Sequence, residues 1–309
     1  MCAFAFSKDT YRFASADARK LARTLFGSSY RMVRLTGGEP LLLDDICDTI
    51  AAFSDVDMRT SVITSGWRLS ALASELVAAN LDQVIVSLDA GRPEVHDRIR
   101  HCPGLFASAV EGLRIYREIA RQSCLRVNTV VGPHNLDELL AIHALLVELD
   151  IDLWSIIPLK RPGGAWEYHN AGDLRETAQR LRDRIGACGR PRLVGHSMNW
   201  EGRTDIEKNR FLTEHIPFTP ALGMCRVVDE VRYYTPKDGL VYPCNCVPHR
   251  LGGHLLAGTV ADFAIESQSL DTVRSWLRVN GPAYCSGCEP ANVSLGEGLV
   301  DLDVDPYGF

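Results

Sequence analysis

The chain has 309 residues, 46% hydrophobic and 23% charged, which is the balance of a globular protein and not of a disordered one. Against 39 Asp and Glu stand 33 Lys and Arg, and the net charge of -6 argues against a general nucleic-acid binder with its basic stripe. No apolar run reaches the roughly 18–20 residues needed to span a bilayer, and the start, MCAFAFSKDTYRF, lacks the basic n-region and A-x-A site of a signal peptide, so a cytoplasmic location is expected.

Ser15 is placed to cap a helix whose apolar face runs Ala18, Leu21, Leu25. Residues 31–35 read as a buried strand ended by Gly37-Gly38, and Asp44 and Asp45 open a short helix, as acidic residues in a first turn should. Strand-like 60–64, helix-like 70–79 and the strong strand QVIVSL at 83–88 follow. Residues 106–121 read as a helix, 125–131 as a strand, 136–149 as a helix and 153–158 as a strand, with Trp154 assigned to the core. About five strand–helix units at a spacing of roughly 25–35 residues imply a parallel sheet with right-handed crossovers. The strands are almost continuously apolar, which suits burial on both faces.

In such sheets ligands bind at the carboxyl ends of the strands. Those ends read TGGEP at 36–40, TSG at 64–66, SLD at 87–89, NTVVG at 128–132 and PLKR at 158–161. In TGGEP the glycines let the backbone approach a ligand and leave its carbonyls and N–H groups able to bind it. Glu39 is placed to meet a cation and Pro40 stiffens the exit. Asn128 ends its strand, and Lys160 and Arg161 follow the last one.

After about residue 165 the pattern changes. One more helix is expected over 174–187, then a connection over 189–222 without clean periodicity. A cysteine-bearing module follows, built on a hairpin, YYTPKDGLVYPC, with Lys237-Asp238-Gly239 at its turn. Of the ten cysteines, Cys47, Cys124 and Cys188 sit among Ile, Leu or Ala and read as buried, inert thiols. Five others crowd the C-terminal part. Cys225, Cys244, Cys285 and Cys288 can converge as four thiolates around zinc or an iron–sulfur cluster, and the geometry suits both. Cys246 is a spare thiol or a substitute for Cys244. His249 and His254 read as surface or hydrogen-bonding residues.

TGGEP after one strand, with SLD ending a later one, resembles the radical S-adenosylmethionine (SAM) enzymes. HDRIR at 96–100 resembles the HDxxR run that follows SLDG in members with C-terminal cluster domains; here Ala90 stands where that Gly would be, and Gly91 follows. The resemblance covers residues 1–160 and 224–290. It implies a partial (β/α)6 TIM-type barrel lacking its first strand over 1–188, a connection over 189–222, a small α+β twitch domain over 223–290 and a tail over 291–309. It also implies that Gly37, Gly38, Glu39, Pro40, Ser87, Asp89, Arg100 and Asn128 bind SAM. The family's CxxxCxxC motif holds a [4Fe–4S] cluster through three thiolates. Only Cys2 matches it here, so the resemblance implies that the chain begins inside that triplet, with roughly 20–30 further residues upstream. The contrasting expectation is a degenerate protein without that cluster.

The C-x13-G-x4-C…C-x2-C spacing resembles the twitch form of the SPASM domain, which implies one auxiliary [4Fe–4S] cluster on Cys225, Cys244, Cys285 and Cys288. The activity implied is reductive cleavage of SAM and hydrogen abstraction from a substrate. A reductant such as flavodoxin or ferredoxin and a small sugar- or nucleoside-type substrate of natural-product biosynthesis are expected. The start CAFAF-x-KDTYRF with NTVVGPHN resembles cytosylglucuronate decarboxylases. A peptide maturase and a non-catalytic metal-binding remnant are the competing readings. Neither nucleic acid nor membrane is expected as a partner.

Overall fold

Short apolar runs and amphipathic stretches alternate along the chain, and each run becomes a strand covered by the stretch that follows it. The computed structural model describes residues 11–27, 30–132, 134–158, 171–193, 233–237, 240–242 and 258–259. Its elements are α1 (Ser15–Gly27), β1 (Met32–Leu35), α2 (Ile46–Ser54), β2 (Arg59–Thr64), α3 (Leu69–Ala78), β3 (Gln83–Ser87), α4 (Pro93–Arg100) and α5 (Leu105–Ile119). β4 (Cys124–Val131), α6 (Leu139–Glu148), β5 (Leu153–Pro158), α7 (Ala171–Cys188) and β6 (Arg192–Leu193) complete the first sheet and its helices. The strands pair in parallel, and their spatial order repeats the chain order from β1 to β6. A sheet wound without reversal sends every right-handed crossover to one face, which is the winding of a barrel and not of a doubly wound sheet.

The two faces of the sheet have different chemistry. On the helix side Val62, Val84, Val86, Leu125, Val127 and Trp154 join Leu69, Leu76, Leu113, Ile142 and Leu146 in one buried core. Side chains alternate along a strand, so Arg34, Ser61, Gln83, Arg126 and Asn128 lie on the opposite, inner face. Met32, Cys124 and Leu153 form a separate apolar cluster there. Trp154 belongs to the core as expected: it is fully buried, and its indole N–H donates to Thr129 Oγ1 at 2.8 Å.

Several local expectations change. Ser15 does not cap α1; it is the helix's first residue, and its N–H donates to Asp45 Oδ2 at 2.8 Å. Asp45, occupied there, gives no side-chain cap to its own helix α2. Cys188 is exposed at the end of α7, with its thiol donating to the carbonyl of Arg190, while Cys47 is only half-buried; Cys124 is buried. The polar run PEVHDRIR forms α4, which burying only Val95 and His96 had hidden from a reading based on apolar periodicity. The parallel sheet also extends into the stretch read as a connection, because Arg192–Leu193 pair with Leu153 and Trp154.

The expected hairpin is present as β7 (Tyr233–Thr235) and β8 (Leu240–Tyr242), antiparallel with Tyr233 opposite Tyr242, and β9 (Gly258–Thr259) adds a third strand. Among the described residues no helix is long and apolar enough to cross a membrane.

Candidate functional site

The carboxyl ends of β1 to β4 lie side by side, so the loops after them share one mouth. At the end of β1 the chain turns through Gly37, whose φ of +151° favours glycine, and Gly38. Both are exposed, and among the described residues a Cβ built on either would meet nothing within 4 Å. The backbone of this turn therefore lies open to an incoming group.

Glu39 is what holds the turn in place. Its Oε1 accepts from the Leu41 N–H at 3.1 Å, capping the short 3-10 turn Pro40–Leu42, and from Thr64 Oγ1 at 2.6 Å. Its Oε2 accepts from the Ser65 N–H at 2.6 Å and from the Ser65 hydroxyl. Arg68 adds a bond from its guanidinium to the Leu41 carbonyl at 3.2 Å. The Glu39 side chain, expected to face a cation, thus spends its acceptors on the β2 loop. The TSG run at 64–66 supplies the matching donors. It was visible as a polar strand end, but nothing local in the sequence shows that it meets a carboxylate 25 residues earlier.

At the end of β3 the arrangement is closed. Asp89 is 3% exposed; its Oδ1 accepts from the Val130 N–H at 2.8 Å and its Oδ2 pairs with Arg100 Nε at 2.6 Å. The Asp89 N–H donates to His96 Nδ1 at 3.1 Å, and the Asp89 carbonyl accepts from Asn135 Nδ2 at 2.7 Å. Asp97 accepts from the N–H groups of Gly104 and Phe106, fixing the start of α5. Of the HDxxR run, His96 and Arg100 therefore brace the loop after β3, and Asp97 braces the turn between α4 and α5. His96 is fully buried with its Nε2 unpartnered among the described residues, and burial, followed by the nearby Arg100 charge, lowers its pKa from 6.5 to about 4.

The shift from SLDG to SLDAG has a steric reason. Ala90 is fully buried, whereas a Cβ on Gly91 would sit 2.6 Å from the backbone of Ala141 in α6. Gly91 and Arg92 are then clamped by Glu138, a carboxylate 1% exposed that accepts from both backbone N–H groups and pairs with the Arg92 guanidinium. Neither Asn135 nor Glu138 was singled out by sequence, since each acts across 46 or 47 positions.

Ser87 and Asn128 are register partners on β3 and β4, both half-buried, and Asn128 Oδ1 accepts from Arg126 Nε at 3.1 Å. The structure thus gathers Gly37, Gly38, Glu39, Pro40, Ser87, Asp89 and Arg100 around the ends of β1 and β3, with Asn128 level with Ser87 but within β4, not at its strand's end as expected. Cys2, Lys160, Arg161, Cys225, Cys244, Cys246, His249, His254, Cys285 and Cys288 lie outside the described residues.

The family model of the radical SAM superfamily matches residues 1–146. Among curated proteins, the AdoMet-dependent heme synthase of Methanosarcina barkeri is 31% identical over 116 residues, 37% of this chain and 33% of the relative. A probable GTP 3',8-cyclase of Thermococcus kodakarensis is 38% identical over 97 residues, 31% of each chain. The matched stretches thus span about a third of those relatives. Among solved structures, Streptococcus suis SuiB bound to S-adenosylmethionine superposes with a TM-score of 0.65 at 16% identity, covering 98% of this chain and 71% of that one. The AdoMet-bound anSMEcpe gives 0.61 at 14% identity over 88% of this chain and 80% of that one. These likenesses establish the partial-barrel fold.

Proposed function

Residues 1–146 belong to the radical SAM superfamily, and from that premise we propose that the protein cleaves S-adenosylmethionine reductively and uses the product to take a hydrogen atom from a small-molecule substrate. Members of the superfamily use SAM and a [4Fe–4S] cluster. When bound, the two together supply a 5'-deoxyadenosyl radical, a species able to attack an unactivated C–H bond.

The observation that carries this reading is the open Gly37–Gly38 backbone at the end of β1, locked from behind by Glu39. Such a turn fits the methionyl end of SAM, because exposed carbonyls can accept from an ammonium at close range without any side chain intervening. Ser87, at the end of β3, and Asn128, beside it within β4, would meet the ribose or carboxylate. Asp89 holds Arg100 by its Nε, which leaves the guanidinium's terminal nitrogens as the cationic partner of a carboxylate. Pro40 stiffens the turn. Cys2 would be one cluster ligand, and Cys225, Cys244, Cys285 and Cys288 would hold an auxiliary [4Fe–4S] cluster that exchanges an electron with the substrate. A cytoplasmic setting keeps such thiols reduced, and flavodoxin or ferredoxin would be the electron donor.

For the substrate we favour a sugar or nucleoside of natural-product biosynthesis, with decarboxylation of a cytosylglucuronate-like acid as the specific form. The Thermococcus relative is named for action on a nucleotide, and that supports a small molecule. SuiB has been captured with a precursor peptide, but its likeness extends to fold alone and does not favour a peptide here. The test is anaerobic incubation of the reconstituted full-length protein with SAM and dithionite. Formation of 5'-deoxyadenosine and methionine is expected. A protein that binds iron but neither binds nor cleaves SAM would be the metal-binding remnant.

A further inference from the structure

The inner face of the sheet carries a polar layer that the SAM-binding reading does not use. Arg34, Ser61 and Gln83 are consecutive register partners on β1, β2 and β3. Their side chains interlock: Ser61 donates to Gln83 Oε1 at 3.0 Å, and Arg34 reaches Ser61 Oγ from Nε at 3.4 Å and Gln83 Oε1 from Nη2 at 3.5 Å. Gln83 Nε2 in turn faces Cys124 Sγ at 3.3 Å, which fixes the amide with its oxygen toward the arginine. A second guanidinium, Arg126 on β4, lies on the same face and is 7% exposed, with Nε donating to Asn128 Oδ1. Met32, Cys124 and Leu153 form the apolar cluster at the amino-terminal end of this face.

Charge makes this layer unusual. Among the described residues no carboxylate pairs with Arg34, whose neutral hydrogen bonds are both long and weak. A partly buried guanidinium without a counter-charge is costly. That cost falls when an anion meets the exposed part of the Arg34 guanidinium. The guanidinium fork matches the paired oxygens of a carboxylate or phosphate. The sheet holds it rigidly, and Arg34 keeps part of its surface exposed.

We infer that the inner face binds an oxyanion, a carboxylate or phosphate group of the substrate, with Arg34 as its anchor. The inference rests on the proposed function in taking that anion as part of the substrate; the anion site itself is tested apart from SAM. The substrate's charged end would then lie below the strand ends, and its reacting carbon would face the mouth.

Thermal melts of the full-length protein, titrated at constant ionic strength with D-glucuronate, inorganic phosphate or uncharged D-glucose, test it, since a ligand bound only to the folded state raises the melting temperature saturably. At least one anion should stabilise the protein and glucose should not. A response to glucuronate alone marks a carboxylate site, and a response to phosphate alone marks a phosphoryl site. Arg34→Gln should weaken the effective anion at least tenfold while leaving SAM affinity unchanged. If that variant does not fold, Arg34→Lys, which keeps the charge but loses the fork, should weaken it severalfold. Equal effects of glucose and the anions, or an unaltered response in the Arg34 variants, would overturn the inference. Loss of SAM binding in Arg34→Gln would also overturn it, by assigning Arg34 to SAM. Anion binding by a wild-type protein that ignores SAM would instead overturn the radical SAM reading and leave the anion site standing.

Discussion

The two sides of the mouth use the same device to different ends. After β1, one carboxylate, Glu39, gathers donors from the β2 loop and leaves the Gly37–Gly38 backbone bare. After β3, two carboxylates, Asp89 and Glu138, gather donors from the loops around them and end up almost wholly buried. The acidic residues of both motifs act as fasteners. What differs is what the fastening exposes: main-chain groups on one side, and on the other chiefly the partly exposed Arg100.

The largest effect should come from breaking the open side. Glu39→Ala strands the donors of Thr64, Ser65 and Leu41 and lets the glycine turn relax. SAM affinity should fall roughly a hundredfold or more, equivalent to about 2.7 kcal/mol, as read by calorimetry. Ser65→Ala removes one of the four bonds and should cost roughly tenfold. If Glu39→Ala binds SAM normally, the turn is not the binding element and the contrast between the two sides disappears.

On the closed side Glu138→Ala should act on stability first. It removes the acceptor of two backbone N–H groups and the partner of Arg92, and the loss in denaturant unfolding should be roughly 3–4 kcal/mol. Arg92→Ala should do much less, because its side chain is 54% exposed and water replaces the pair. Equal losses from the two variants would mean that the ion pair, and not the backbone clamp, holds the loop.

The strands were legible because each is a short apolar run closed by Gly, Pro or a polar end, and β5 matches its expected bounds at 153–158. The mouth was legible as a set of strand ends, and the match over residues 1–146 agrees with the family the motifs resemble. The assignment of roles was harder to read. A sequence shows that Glu39, Asp89 and Arg100 are chemically able to touch a ligand. It does not show that Glu39 closes on Ser65, or that Arg100 closes on Asp89, because those contacts depend on which loops the sheet brings together. For the same reason α4 was seen as a motif and not as a helix: its polar members turn inward to brace a loop and leave little apolar periodicity.

His96 sharpens the contrast through pH. It is buried as the neutral ring, with Nδ1 accepting from Asp89, and burial holds its pKa at about 4 against 6.5 when unfolded. Between those values the unfolded chain binds a proton that the folded one refuses, so stability should fall as pH drops from 6.5 toward 4. The loss is at most about 3 kcal/mol. His96→Asn keeps an acceptor near the Asp89 N–H and removes the titration, so the slope of the unfolding midpoint against pH should flatten over that window. An unchanged slope would place the acid sensitivity elsewhere, in the carboxylate fasteners themselves.

The smallest effects separate neighbouring residues on the open side. Asp45 accepts from the Ser15 N–H at the first turn of α1, tying that helix to the segment after the glycine turn, and Asp45→Ala should cost about 1 kcal/mol, the usual worth of such a cap. Asp44 pairs with Arg12 at 3.8 Å, with side chains 90% and 70% exposed, and water screens that pair almost completely. Asp44→Ala should therefore leave the unfolding midpoint where it was. If the two substitutions cost the same, the general negative charge at the start of α2 matters and the directed bond does not, and α1 is held to the sheet by its Ala18, Leu21 and Leu25 face alone.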